Sequence, residues 1–155
     1  MGTICRSPVA AAVCRYKAEQ KGLATEIEFD SAGTHGHYHS GEPPDPRARR
    51  AAAARGYDLA RMRARPVREA DFDRFDRILA MDKANLAGLR SQSTPDKQAK
   101  LGLFLEYAAQ PGVCEIPDPY YGDESGFERV IDLCELAAEG LLAAYARGAL
   151  ARPLA

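Results

Sequence analysis

The chain has little of what would assign it to a specialised class. Its four cysteines, Cys5, Cys14, Cys114 and Cys134, among 155 residues show neither metal-type pairing nor the density of a disulfide scaffold. Free thiols in a reducing compartment are therefore expected, with a cytoplasmic location as the default. Charge is nearly balanced, at a formal net of −1, so bulk electrostatics select no partner. No apolar run reaches the ~20 residues of a membrane-spanning helix, and the first residues lack a signal-peptide core. The arginines between 47 and 68 carry one aromatic among them, Tyr57, and no recognised nucleic-acid motif, which argues against nucleic acid and for a solvated surface. What remains is one ordinary globular domain, residues 1–155, with 46% hydrophobic residues and enough length for a sizeable core.

The most informative stretch comes first: Met1-Gly2-Thr3-Ile4-Cys5-Arg6-Ser7-Pro8. Ser7 suits a helix N-cap and Pro8 the first helical position, and Val9–Gln20 continues as an alanine-rich helix stopped by Gly22. Gly2–Ser7 is then a tight loop entering a helix N-terminus, where free N–H groups and the helix dipole favour an anion. Arg6 adds a planar fork able to hold two oxygens of one phosphate. Alone, the stretch is either an oxyanion cradle with an arginine clamp or an ordinary capped helix.

Further along, Thr25–Asp30 alternates as a half-exposed or edge strand. The segment His35-Gly36-His37-Tyr38-His39-Ser40-Gly41 holds every histidine; with no acidic residue or cysteine at helpful spacing it reads as a solvated loop rather than a metal site. Asp45-Pro46 opens a helix to Arg55, closed by Gly56. Asp71–Arg77 is expected to be a helical turn packed by Phe72 and Phe75. Ile78–Met81 has the pattern of a buried parallel strand. Asp82 caps a helix over Ala84–Leu89, Ser91–Ala99 is a loop, and Leu101–Tyr107 is a strand or, given its leucines, a helix. Ile116-Pro117-Asp118-Pro119-Tyr120-Tyr121-Gly122 fixes the backbone around Asp118, which by itself indicates only a turn. Phe127 to Tyr145 recurs at threes and fours, a long amphipathic helix ending at Gly148 with Cys134 on its apolar stripe, before a frayed tail. Strands alternating with helices make the fold α/β with a parallel sheet.

Gly2-Thr3-Ile4-Cys5-Arg6-Ser7-Pro8 resembles the phosphate loop of the low-molecular-weight protein tyrosine phosphatases. Ser31-Ala32-Gly33-Thr34, Ala80-Met81-Asp82 and Asp118-Pro119-Tyr120 are similar to that family's further motifs, in the same order and spacing. The likeness runs from Gly2 to the last helix and implies a parallel four-stranded sheet flanked by helices, no metal and no cofactor. It also implies a nucleophilic cysteine immediately before Met1, at the end of a first strand. By this resemblance the chain is an N-terminally incomplete member, as when an internal Met codon is taken for the start. Cys5, adjacent to Arg6, is not in the place of that nucleophile; its counterpart is a second loop cysteine able to protect the first.

The chemistry so implied is hydrolysis of phosphotyrosine or an aryl phosphate through a phosphocysteine. Gly2, Thr3, Ile4, Cys5, Ser7 and Arg6 would hold the phosphate oxygens, Ser7 would stabilise the departing thiolate, and Asp118 would be general acid and then base. Tyr38, Tyr120 and Tyr121 would wall the aryl ring. Partners are then a phosphotyrosine protein or a small aryl phosphate, with phosphate or sulfate fitting the loop. Thr3 and Met62 depart from the family's usual Asn and His, two members of a network that braces the loop. Two other readings stand beside it: an inactive phosphate- or phosphotyrosine-binding module, and an arsenate reductase of the same fold, for which Cys114 and Cys134 are poorly placed. Ile4 with Tyr120-Tyr121 favours an aryl phosphate over phosphoarginine.

Overall fold

Alanine and valine dominate the first helix, and in the computed structural model its N-terminal half is buried nearly all round. That structure describes residues 6–34, 41–108, 112–119 and 124–148, with the side chain of Glu124 left aside. Helix α1 (Arg6–Gln20) buries Val9 through Cys14 without a break, so small side chains rather than a single stripe let it sit inside the molecule. It includes Arg6 and Ser7, one turn position earlier than the capping pattern suggests. Its end is as expected: Gly22 takes a left-handed φ of 74° and the Leu23 N–H reaches back to the Ala18 carbonyl.

Helix α2 (Pro46–Ala54) starts where Asp45 accepts from the Arg47 N–H, with proline in the first turn. Helix α3 (Glu69–Arg74) replaces the turn expected from Asp71 to Arg77. Of its two rings, only Phe72 is buried, against Ala80, Leu86, Leu89 and Leu103. Strand β1 (Ile78–Ala80) and strand β2 (Leu101–Leu103) pair in parallel, Ile78 opposite Leu101 and Ala80 opposite Leu103. Between them α4 (Lys83–Gln92) is capped by Asp82 and runs three residues past Leu89, taking in the start of the stretch expected as loop; Pro95–Lys100 then forms a 3₁₀ helix. After β2 the chain turns at once into a second 3₁₀ helix, Phe104–Ala108, so Leu101–Tyr107 is strand first and helix after.

Helix α5 (Glu124–Ala146) is the other half of the core. Phe127, Val130, Ile131, Cys134, Ala138 and Leu141 are buried as their spacing predicts, and Leu133, Ala137 and Leu142 join them. Full burial of each large side chain contributes about 1.5–3 kcal/mol. It packs on α1, on α2 and on the 104–108 helix, where Gly140 lies so close that a Cβ there would sit 1.7 Å from the Tyr107 carbonyl oxygen.

The architecture is thus α/β, a parallel sheet with flanking helices. The strand expected over Thr25–Asp30 is not formed: 24–26 is a turn in which the Ile27 N–H bonds to the Leu23 carbonyl. Residues 27–32 then run without a ladder, no strand lying alongside them among the described residues, until Gly33 makes a parallel bridge with Pro66.

Candidate active site

β1 leads through Met81 into Asp82 and 27–33 leads into Thr34, so both deliver polar residues to one end of the sheet, where α1 begins. Ligands in α/β folds collect at the carboxyl ends of parallel strands. Arg6 is the centre of this place. It is 6% exposed, and three of its five N–H donors are engaged: Nη1 donates to Asp82 Oδ2 at 2.7 Å and to the Ile116 carbonyl at 2.8 Å, and Nη2 donates to Asn85 Oδ1 at 3.2 Å. Asn85 in turn donates from Nδ2 to Thr34 Oγ1 at 3.1 Å. Asp82 also accepts from the Asn85 N–H at 2.7 Å, capping α4 and gripping Arg6 with the same carboxylate.

These contacts set the charge state. Burial alone would raise the Asp82 carboxyl, but the hydrogen bonds from the Asn85 N–H and Arg6, with the Arg6 charge, hold it below the ordinary carboxylate range. Arg6 is therefore held by a permanent anion and aimed by it. Its other terminal nitrogen, Nη2, lies 3.9 Å from Asp118 Oδ2. Asp118 arrives from 112–119, a segment anchored by buried Ile116, whose N–H bonds to the Met81 carbonyl at 2.8 Å. An arginine fork, a carboxylate facing it and the half-buried Ser7 at a helix start form one mouth, and all three line the same cleft.

Arg65 ties the sides of this cleft together. It donates to Asp71 Oδ2 at 2.9 Å and to Asp30 Oδ2 at 3.0 Å. Residues 64–67 also hold both ends of the histidine-bearing segment. Gly33 donates to the Arg65 carbonyl and accepts from Val67, while Gly41 donates to the Ala64 carbonyl and Ala64 to that of Glu42.

The structure thus brings Arg6, Ser7 and Asp118 together. Gly2, Thr3, Ile4, Cys5, Tyr38, Tyr120 and Tyr121 lie outside the described residues, as do the three histidines and the tail. Met62 packs against the main core. Burial pushes the Cys14 thiol up to about 12 and that of Cys134 well above its ordinary value, so neither is a thiolate near neutrality. Among the described residues there is no cluster of three metal-type ligands and no helix long and apolar enough to cross a membrane. Sequence reasoning missed Asn85 and the Ile116 carbonyl, and gave Asp82 as a helix cap and part of a family motif without its bond to Arg6. The one available signal was the i, i+3 spacing of Asp82 and Asn85 on one helical turn.

The chain is similar to known proteins along nearly its whole length. Residues 1–150 match the family described as low molecular weight phosphotyrosine protein phosphatase. A low molecular weight protein-tyrosine-phosphatase of Streptomyces coelicolor is 42% identical over 146 residues, covering 92% of this chain and 88% of that one. The crystal structure of a protein tyrosine phosphatase from Entamoeba histolytica with Hepes in the active site superposes with a TM-score of 0.92. It is 38% identical and covers 96% of this chain and 94% of its own. Wzb of Vibrio vulnificus, solved in complex with benzylphosphonate, gives a TM-score of 0.80 at 26% identity, with 92% of each chain covered.

Proposed function

The chain belongs to the low molecular weight phosphotyrosine protein phosphatase family, and on that premise we propose how its residues divide the work of hydrolysing an aryl phosphate. The function is that of a protein-tyrosine phosphatase, a hydrolase acting on phosphotyrosine. The thiolate that attacks phosphorus belongs, by the family likeness, to the position before Met1; the residues of this chain do the rest.

Arg6 holds two equatorial oxygens of the phosphoryl group. Its preference for the flat, spreading charge of the transition state stabilises that state over the ground state. Asp82, Asn85 and the Ile116 carbonyl orient the fork beforehand, so little reorganisation accompanies reaction. Gly2, Thr3, Ile4 and Cys5 supply backbone N–H groups, and Ser7 donates to the sulfur as it leaves phosphorus. Asp118 gives its proton to the phenolate oxygen, then takes one from the attacking water. Tyr38, Tyr120 and Tyr121 wall the ring of a phosphotyrosine side chain or small aryl phosphate. The benzylphosphonate held by the Vibrio vulnificus relative supports an aryl ligand of that shape.

The observation that carries this assignment is the 3.9 Å approach of Arg6 Nη2 and Asp118 Oδ2 across one mouth. It is tested in a chain carrying a Cys ahead of Met1, with a series of aryl phosphates. Asp118→Asn should lower turnover about 10²–10⁴-fold, the loss growing as the phenol becomes a poorer leaving group. A loss independent of the leaving group would rule Asp118 out as the proton donor.

A further inference from the structure

Positive charge is gathered on one side of the mouth. Residues 46–64 carry six arginines, no lysine and a single acid, Asp58, in a chain whose formal net charge is only −1. Two of the six are engaged in holding the fold. Arg47 donates to Asp45 Oδ2 at 3.0 Å and lies 4.8 Å over the Phe127 ring, and Arg55 meets Glu128, Asp132 and Glu135. Arg49, Arg61 and Arg63 are different: all three are exposed, and none pairs with a carboxylate among the described residues. Arg63 Nη1 donates to the Ala60 and Met62 carbonyls at 3.1 and 2.7 Å, which orders its guanidinium and leaves its charge unmatched. Asp58 accepts from the Ala60 N–H at 2.8 Å, a bond that serves the turn.

This surface borders the mouth at both ends. Buried Pro119, next to Asp118, lies against Gly126, where a Cβ would come within 3.1 Å of the Pro119 Cβ. Phe127 follows and carries Arg47 on its ring, so the first turn of α2 is a short relay of contacts away from Asp118. At the other end the chain runs from Arg63 through Ala64, which is bonded to Glu42, into Arg65 in the wall of the cleft.

Like charges facing water repel one another and weaken a fold, and a partner of opposite charge relieves that repulsion. The residue type narrows the partner. A guanidinium presents a planar pair of donors that matches a carboxylate, and it sheds water more readily than an ammonium does. The one aromatic in this stretch, Tyr57, is buried, so no ring is offered for stacking a nucleic-acid base. We infer that Arg49, Arg61 and Arg63 form a docking surface for Asp and Glu residues that flank the phosphotyrosine of a substrate polypeptide. The phosphotyrosine rests on the phosphatase reading; the acidic flanks rest on the arginines. An extended chain rises about 3.3 Å per residue, so a flank of about six residues reaches about 20 Å from the mouth, several times the height of the first turn of α2.

The test measures affinity by fluorescence anisotropy on the chain as it stands, with four labelled peptides of equal length. Two carry phosphotyrosine, one between Asp/Glu flanks and one between Ser/Gly flanks, and two are their counterparts with plain tyrosine. An exposed arginine–carboxylate pair is worth about twofold in affinity. The acidic phosphopeptide should therefore bind about eightfold more tightly than the neutral one at low salt, and the ratio should shrink as salt is raised. Arg49→Gln, Arg61→Gln and Arg63→Gln should each lower the ratio about twofold and together bring it near one. Lys21→Gln, Arg90→Gln and Arg147→Gln together remove as much charge at or just past the far ends of α1, α4 and α5, and should leave the ratio in place. Equal affinity for acidic and neutral peptides, or a ratio that falls as far in the remote triple variant, overturns the docking surface. An oligonucleotide of matched charge that displaces the acidic peptide at lower concentration overturns the choice of occupant. A preference for acidic flanks that depends on the three arginines, with no gain in affinity from the phosphate in either pair, keeps the docking surface and removes the assignment of the mouth as a phosphatase site.

Discussion

Asp82→Ala is the sharpest perturbation of the site that does not touch a reacting group. The change removes two hydrogen bonds at once. Loss of the cap to the Asn85 N–H costs about 1 kcal/mol. Loss of the anion at 2.7 Å from a guanidinium that is 6% exposed costs about 2 kcal/mol, the middle of the range for hydrogen bonds to charged groups. The larger penalty for breaking a fully buried pair does not apply, since the Asp82 side chain is itself 23% exposed. Together these predict about 3 kcal/mol, or about 6–12 °C in Tm for a chain of this size. Asp82→Asn keeps a good cap and an acceptor for Arg6, and loses only the charge. It should cost about 1–2 kcal/mol. Guanidinium unfolding of the three proteins at pH 7 measures both numbers. Repeating it in acid tests the cause. The folded Asp82 carboxyl is held below its ordinary 3.8, so its contribution is present above the unfolded pKa of about 3.9. It is lost as pH falls through the folded value, and the deficit of both variants should fade there. Equal stability of the Ala and Asn variants, or a difference from the parent below about 0.5 kcal/mol, would refute the dual role.

Gly140→Ala should destabilise by about 3 kcal/mol or more, read as a drop in Tm, because the new Cβ meets backbone that cannot swing aside. Ile131→Ala, at a fully buried site, should cost about 2–5 kcal/mol in denaturant unfolding. A thiol reagent at pH 8 should leave Cys14 and Cys134 unmodified in the folded protein and label both in guanidinium; labelling of either before unfolding would contradict their burial. Arg65→Gln, which frees Asp30 and Asp71 from one clamp, should lower stability by about 1–3 kcal/mol by the same unfolding measurement.

The site was legible in the sequence where one residue's chemistry is tied to local backbone. Arg6 beside a helix start and Asp118 between two prolines each carry their own signal, and the structure brings them to one mouth. What holds Arg6 was not legible. Its partners Asp82, Asn85 and Ile116 lie 76 to 110 positions away. One of them is a backbone carbonyl, which any residue type would supply. Among the elements, α5 and α2 were read closely because caps and threefold-fourfold spacing are local. Thr25–Asp30 was misread for the opposite reason. Alternation describes which faces a strand would bury, whereas a ladder needs a neighbour, and none is present among the described residues. Leu101–Tyr107 divided into strand and 3₁₀ helix at Phe104, a boundary that leucine-rich composition does not mark.

The backbone bonds that fasten Gly33, Gly41 and Glu42 to 64–67 have a mechanical consequence. Two points of the chain pinned to one segment act as a staple: a change of length between them costs only about 0.6 kcal/mol of closure entropy per doubling, and it is insulated from the framework that fastens Arg6 and Asp118.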